Sequence, residues 1–215
     1  MKKSIVMSLI SALALFGADV TNSIGMVFKE MPQSATVKSF YMGETEVTQA
    51  QWKTIMGNNP SYGQTGNLNQ PVEDISWDDT QAFIQKLNAK EGTKTYRLPT
   101  QEEWEYAARA GSTTLFSCGN DESCLPNIAV FNRTDSAKAV KSKKPNRWGL
   151  YDMSGNVWEW TSSCWHTPNT QDCKYRAIRG GGWHDSGANL QLTSAFGGKP
   201  IHKDVNIGFR VAKSK

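Results

Sequence analysis

Three histidines, His166, His184 and His202, are the chain's complete imidazole supply, and one of them, His184, stands directly beside a carboxylate, Asp185. Two histidines and a carboxylate make an iron-type facial triad when they converge on one ion. Adjacent residues of an extended segment point to opposite sides, however, so His184 and Asp185 are not expected to share a ligand sphere. The plain alternative is a set of solvated polar loop residues. No G-x-S-x-G, H-E-x-x-H or phosphate-cradling G-x-x-x-x-G-K occurs. Gly180, Gly181 and Gly182 precede Trp183 without opening a helix, so they are read as permitting close backbone packing, not nucleotide binding.

The four cysteines, Cys118, Cys124, Cys164 and Cys173, are the other chemically distinctive set. An even count in an exported chain points to two disulfides, with three pairings open. Short loops favour Cys118 with Cys124 and Cys164 with Cys173. Neither pair has the spacing of a four-thiolate zinc site.

Export is read from the first 18 residues. Lys2 and Lys3 precede an apolar run from Ile5 to Phe16 that only two serines interrupt, and Gly17 and Ala18 supply small residues for cleavage. The run falls short of the roughly 20 residues a membrane span needs, so no membrane insertion is expected after cleavage. The expected location is the periplasm or the exterior. Without the two leader lysines the formal net charge of +4 falls to +2, too little for a nucleic-acid surface. Eight Trp, eight Phe, six Tyr and 18 Gly in 215 residues indicate a loop-rich globular protein, read as one domain over 19–215.

The elements that must position these residues begin with one device used three times. Thr48 with Gln51, Ser76 with Asp79 and Thr100 with Glu103 each have the spacing of a capping box. They predict helices over 49–56, 77–89 and 101–110, ending at Gly57, before Gly92 and at Gly111. The shorter Asp79 makes the second box the weakest. Residues 26–28 and 40–42 read as strands. Ile207, Phe209 and Val211 alternate with Gly208, Arg210 and Ala212, the period of a half-buried strand. The stretches 57–72, 111–147 and 164–174 show no helical period.

Six segments in order give the chain a family resemblance: 25–28, 44–52, 71–77, the Arg97-Leu-Pro-Thr-Gln-Glu-Glu-Trp run to Arg109, 149–160 with its Gly-Asn-Val-Trp-Glu-Trp ending, and the Arg-Gly-Gly-x-Trp of 179–183 with Asn206-Ile-Gly-Phe-Arg behind it. Together they resemble the formylglycine-generating enzyme family, also called sulfatase-modifying factors. The resemblance implies an α+β fold, loop-rich, with about three helices and few short strands, in that family's variant of the C-type-lectin fold. It also implies a structural calcium ion held by the carboxylates of Asp152 and Glu159 and the carbonyls of Gly155 and Val157. Two carboxylates plus carbonyls in a glycine-containing loop suit a hard cation. A competing reading pairs Glu159 with a buried arginine. A second family calcium site would begin at Asn127 and Ile128, but its downstream acidic segment does not match.

The resemblance also shows what is missing. The family's copper-binding cysteines would fall at Asp185 and Leu190, two and seven residues after Trp183. Neither is a soft ligand, so the copper oxidase activity is not carried over. The favoured expectation is a non-catalytic, calcium-stabilised binding or accessory module that takes a protein or small-molecule ligand at the loops of 184–206. The alternative is an enzyme modifying a protein or metabolite, of formylglycine-generating or siderophore-maturation type, with His184, Asp185 and Asn189 as its catalytic candidates. Hypervariable receptor-type members cluster Asn, Ser and Tyr before the last strand, and 187–196 shows no such enrichment.

Overall fold

All three capping boxes form. In the structure, a computed structural model that describes residues 17–166 and 172–215, the hydroxyls of Thr48, Ser76 and Thr100 accept the N3 amides at 3.2, 3.1 and 3.1 Å. The side chains of Gln51, Asp79 and Glu103 accept the returning N-cap amides at 3.0, 2.9 and 2.9 Å. The shorter Asp79 closes its box as well as the others do. These caps start α1 (Gln49–Met56), α2 (Trp77–Glu91) and α3 (Gln101–Arg109). Gly57 and Gly92 end the first two in the left-handed conformation, and α2 runs two residues beyond expectation. In α3 the left-handed cap is Ala110, one residue before the expected Gly111.

Two sheets frame the helices. The first is antiparallel, with strands β1 (Val20–Thr21), β2 (Val27–Met31), β3 (Phe40–Gly43), β9 (Ala212–Ser214) and β4 (Tyr96–Arg97) side by side in that order. The second runs β7 (Ala195–Gly198), β6 (Arg176–Arg179), β5 (Trp158–Cys164) and β8 (Ile207–Phe209), with β8 parallel to β5. The C-terminal segment departs from the expected half-buried strand. It pairs in the second sheet as β8, leaves it at Arg210 and Val211, and enters the first sheet as β9. Both faces are therefore covered, and every residue from Asn206 to Ala212 is buried. Gly208 is required here, since a Cβ would lie 2.4 Å from the Val72 carbonyl oxygen.

The main core lies between α1, α2 and the second sheet. Trp52 stacks on Phe83 at 5.4 Å, and Phe209 meets both rings edge-on. Phe83, Ile84 and Leu87 of α2 are buried, whereas Ala82 is only half-buried. A second cluster packs Trp104, Ala107 and Ala108 of α3 against Met31, Phe40 and Met42. A third, small cluster joins Phe116, Leu125, Ala129 and Leu190, with Cys124 against it. Of the three cysteine pairings, the local one is formed: Cys118–Cys124 and Cys164–Cys173. Most of the leader over 1–18 lies outside the described residues. Among those described, no helix is long and apolar enough to cross a membrane.

Candidate functional site

Two loci gather the polar residues of interest, one buried and one open. The buried locus is built on the loop between Gly149 and β5. Four of its residues, Gly149, Asp152, Gly155 and Asn156, have positive φ, between 57° and 80°. Gly155 admits no side chain, because a Cβ would sit 2.3 Å from the Val130 carbonyl oxygen. Asn156 tolerates the left-handed region and is tied at both ends: Oδ1 accepts from Lys138 N at 2.9 Å, and Nδ2 donates to Glu46 Oε2 at 3.1 Å. The next amide, Val157 N, donates to Glu46 Oε1 at 3.2 Å.

Glu159 points inward from β5 to a fully buried guanidinium. Arg210 donates to it through Nε at 3.0 and 2.8 Å and through a terminal nitrogen at 2.7 Å, while Trp104 Nε1 donates at 2.6 Å. Arg210 also reaches the carbonyls of Gly43 and Tyr151, tying the two sheets and the loop together. Three carboxylates thus share this interior, Glu46, Asp152 and Glu159, at 0, 2 and 0 % exposure, against the single guanidinium of Arg210. Burial, together with the charges of Asp152 and Glu159, holds Glu46 well above the usual carboxylate range. Burial likewise pushes Asp152 up to about 6. Asp152 Oδ2 accepts from Lys141 N at 2.9 Å, whereas the equally buried Oδ1 has no partner.

These residues fit a hard cation on the Asp152 side. An orphaned carboxylate oxygen in an over-anionic, glycine-containing loop is what an oxygen-liganded ion satisfies. Among the described residues no three His, Cys, Asp or Glu side chains converge to hold a metal by themselves, so backbone carbonyls would supply much of the coordination. Glu159, of the four expected ligands, already has both oxygens engaged by Arg210 and Trp104.

The open locus is a cavity of about 490 Å³ between the second sheet and the loops of 184–206. Trp158, Phe196 and Ile207 form its apolar wall, and His184, Asp185, Asn189, His202, Asp204 and Asn206 its polar one. The three catalytic candidates, His184, Asp185 and Asn189, therefore do meet on one surface, joined by His202. The exposed His166 is not among the lining residues. Asp185 is heavily committed. Its Oδ2 accepts from Trp158 Nε1 at 2.7 Å and Gly182 N at 2.8 Å, and its Oδ1 from Asn189 Nδ2 at 3.0 Å. Leu190 points away into the third core cluster at 1 % exposure. The donor set at 185 and 190 does not fit copper: one position is a hard, hydrogen-bonded carboxylate, the other a hydrocarbon.

The competing sequence reading, Glu159 paired with a buried arginine, is what forms, with Arg210 as the arginine it left unnamed. Sequence reasoning missed Glu46 and Trp104 in the buried locus, and Asp204 and Phe196 as individual lining residues in the open one. Glu46 and Arg210 both lie inside quoted motifs, but nothing local says that they meet 110 and 51 residues from their partners.

Two small sheets, capped helices and long loops gathered at one cavity define the C-type-lectin-like architecture of formylglycine-generating-enzyme relatives. Treponema denticola variable protein 1 superposes with a TM-score of 0.81 at 26% identity, covering 93% of this chain and 100% of that one. Residues 14–215 match the sulfatase-modifying factor enzyme 1-like domain, and the chain belongs to that family. It is 32% identical to the chaperone protein LppX of Paenibacillus barcinonensis, over 85% of this chain and 83% of that protein. It is 35% identical to the inactive C-alpha-formylglycine-generating enzyme 2 of Mus musculus, over 78% of this chain but only 56% of that longer protein.

Proposed function

We propose that this chain is an exported, calcium-stabilised binding or accessory module of the sulfatase-modifying factor family, taking a protein or small-molecule ligand in the cavity at 184–206 without copper oxidase chemistry. The observation that carries this reading is the fate of positions 185 and 190. Asp185 fastens Trp158, Gly182 and Asn189, and Leu190 fills a core cluster, so both serve packing beside an intact cavity. The names of two relatives, a chaperone and an inactive enzyme, point the same way. Two disulfides suit an oxidising compartment, the periplasm or the exterior. Calcium would sit at Asp152 with the carbonyls of Gly155 and Val157, and Glu159 would join only by sharing an oxygen with Arg210.

A second reading keeps an enzyme. His184, Asp185, Asn189 and His202 line one cavity, and a protein- or metabolite-modifying activity of different chemistry would use them there. Elemental analysis of the mature protein, purified from the periplasm without chelator, separates the two. Calcium near one per chain, with neither copper nor iron, is the expected result. Stoichiometric copper or iron overturns the binding-module reading and moves attention to His184 and Asp185.

A further inference from the structure

We propose that Glu46 sets the cation affinity of the Asp152 loop, as the third carboxylate of the buried cluster and as the clamp that holds Asn156 and Val157. This rests on the calcium reading above and adds to it a residue from outside the loop.

The backbone around Glu46 is fixed from two sides. Val47 N donates to Phe209 O of β8 at 2.9 Å, and Val47 O accepts from Val72 N at 2.9 Å. Thr48 then caps α1. From this anchored position the fully buried Glu46 carboxylate reaches Asn156 Nδ2 and Val157 N, one donor per oxygen. The two carbonyls proposed as ligands, those of Gly155 and Val157, flank or belong to the residues it grips. The amides of Asn156 and Trp158, which donate to Val130 O and Asn206 O at 2.8 Å, pin the two ends of this segment, and Glu46 holds the Asn156–Val157 peptide between them.

Charge points to the same residue. A buried carboxylate is ordinarily paired with a cationic side chain. Among the described residues Glu46 has no ion pair, while Arg210 is taken by Glu159. Asp152 has one backbone donor on Oδ2 and nothing on Oδ1. Three carboxyl groups lie against one guanidinium, an acid excess that a divalent cation offsets, and Glu46 is one of the two surplus groups. Since ligand charge and loop rigidity tune calcium affinity, Glu46 acts on both as a positioning residue.

The test is calcium titration of the full-length mature protein by calorimetry, with terbium luminescence sensitised by the nearby tryptophans as a second readout. Glu46→Gln keeps the size and one acceptor but removes the charge. It is expected to weaken calcium binding by about tenfold or more. Glu44→Gln removes a charge two residues away that pairs with Lys29 and Lys141, and is expected to change affinity by less than about twofold. If wild type binds calcium and Glu46→Gln binds equally well, Glu46 is a protonated structural acid and the proposal falls while the calcium reading stands. If wild type binds none, the calcium reading itself fails and takes the proposal with it. Should Glu46→Gln not fold even in excess calcium, Asn156→Gly replaces it, keeping the left-handed backbone and every charge while removing the gripped amide. Affinity weakened severalfold supports the clamp, and unchanged affinity overturns it.

Discussion

Removing one side of the Arg210–Glu159 pair should not equal removing the other. In an isolated buried ion pair either deletion strands one charge, at about 3–5 kcal/mol. Here the surroundings are lopsided. Glu159→Gln leaves Arg210 facing Glu46 and Asp152, still bonded to the carbonyls of Gly43 and Tyr151, so its charge keeps company. The loss should fall at the lower end, about 3 kcal/mol, or about 6–12 °C in Tm for a domain of this size. Arg210→Met instead leaves three buried carboxylates with no buried counter-charge and frees two carbonyls, so it should cost more, about 5 kcal/mol or above. Urea unfolding at pH 7.5, in chelator and again in excess calcium, measures both. A cation at Asp152 can replace part of the missing positive charge, so calcium should narrow the gap between the variants. Equal losses in chelator, or losses under about 1 kcal/mol for both, would refute the three-against-one account.

Proton linkage at the same cluster has a defined sign. Folding raises Asp152 from 3.8 to about 6 and raises Glu46, so the folded protein without calcium binds protons that the unfolded chain does not. Its contribution is therefore most favourable below the unfolded value, weakens as pH rises through about 6, and leaves a penalty of about 1–3 kcal/mol at pH 7.5. Calcium should relieve that penalty, making the Tm difference between calcium and chelator larger at pH 7.5 than at pH 5; an equal difference at both would count against it. At the cavity, a Cβ on Gly182 would lie 1.7 Å from Asn206 Oδ1, in an amide only 4 % exposed. Gly182→Ala should cost about 1–3 kcal/mol by overpacking, and a melt unchanged within about 0.5 kcal/mol would show that Asn206 moves aside freely.

What could be read from the sequence was what is decided locally. A capping box is four residues long, and all three helices start where those residues stand. The cysteine pairs lie six and nine residues apart, and loop length alone favoured the pairing formed. The segment from Ile207 to Ser214 misled because alternation presumes one buried face. It crosses between two sheets, so Gly208 and Arg210 are as buried as Phe209. Strand alternation puts Arg210 on the solvent-facing side, yet among the described residues its side chain is the only cation in the buried cluster. Likewise, the sequence groups His184, Asp185 and Asn189 as a set, but the hydrogen bonds that commit Asp185 come from Trp158, Gly182 and Asn206, which lie in separate parts of the chain.

The fate of the two copper positions bears on how far this frame stands from catalysis. If Asp185 and Leu190 were idle surface residues, returning them to cysteine would be a small change. They are not idle. Asp185 supplies the acceptor for a mostly buried tryptophan and for a backbone amide of the glycine run, and a thiol accepts such bonds poorly. Leu190 packs on Phe116, Leu125 and Ala129, and its side chain also lies within 2.9 Å of where a Cβ on Gly181 would be. A cysteine there would leave a void in a cluster too small to spare the contact. The packing here therefore depends on two side chains that cannot bind copper. Asp185 ties Trp158 to the glycine run at the cavity, and Leu190 closes the third core cluster away from it, so a cysteine pair at these positions would cost packing on both sides.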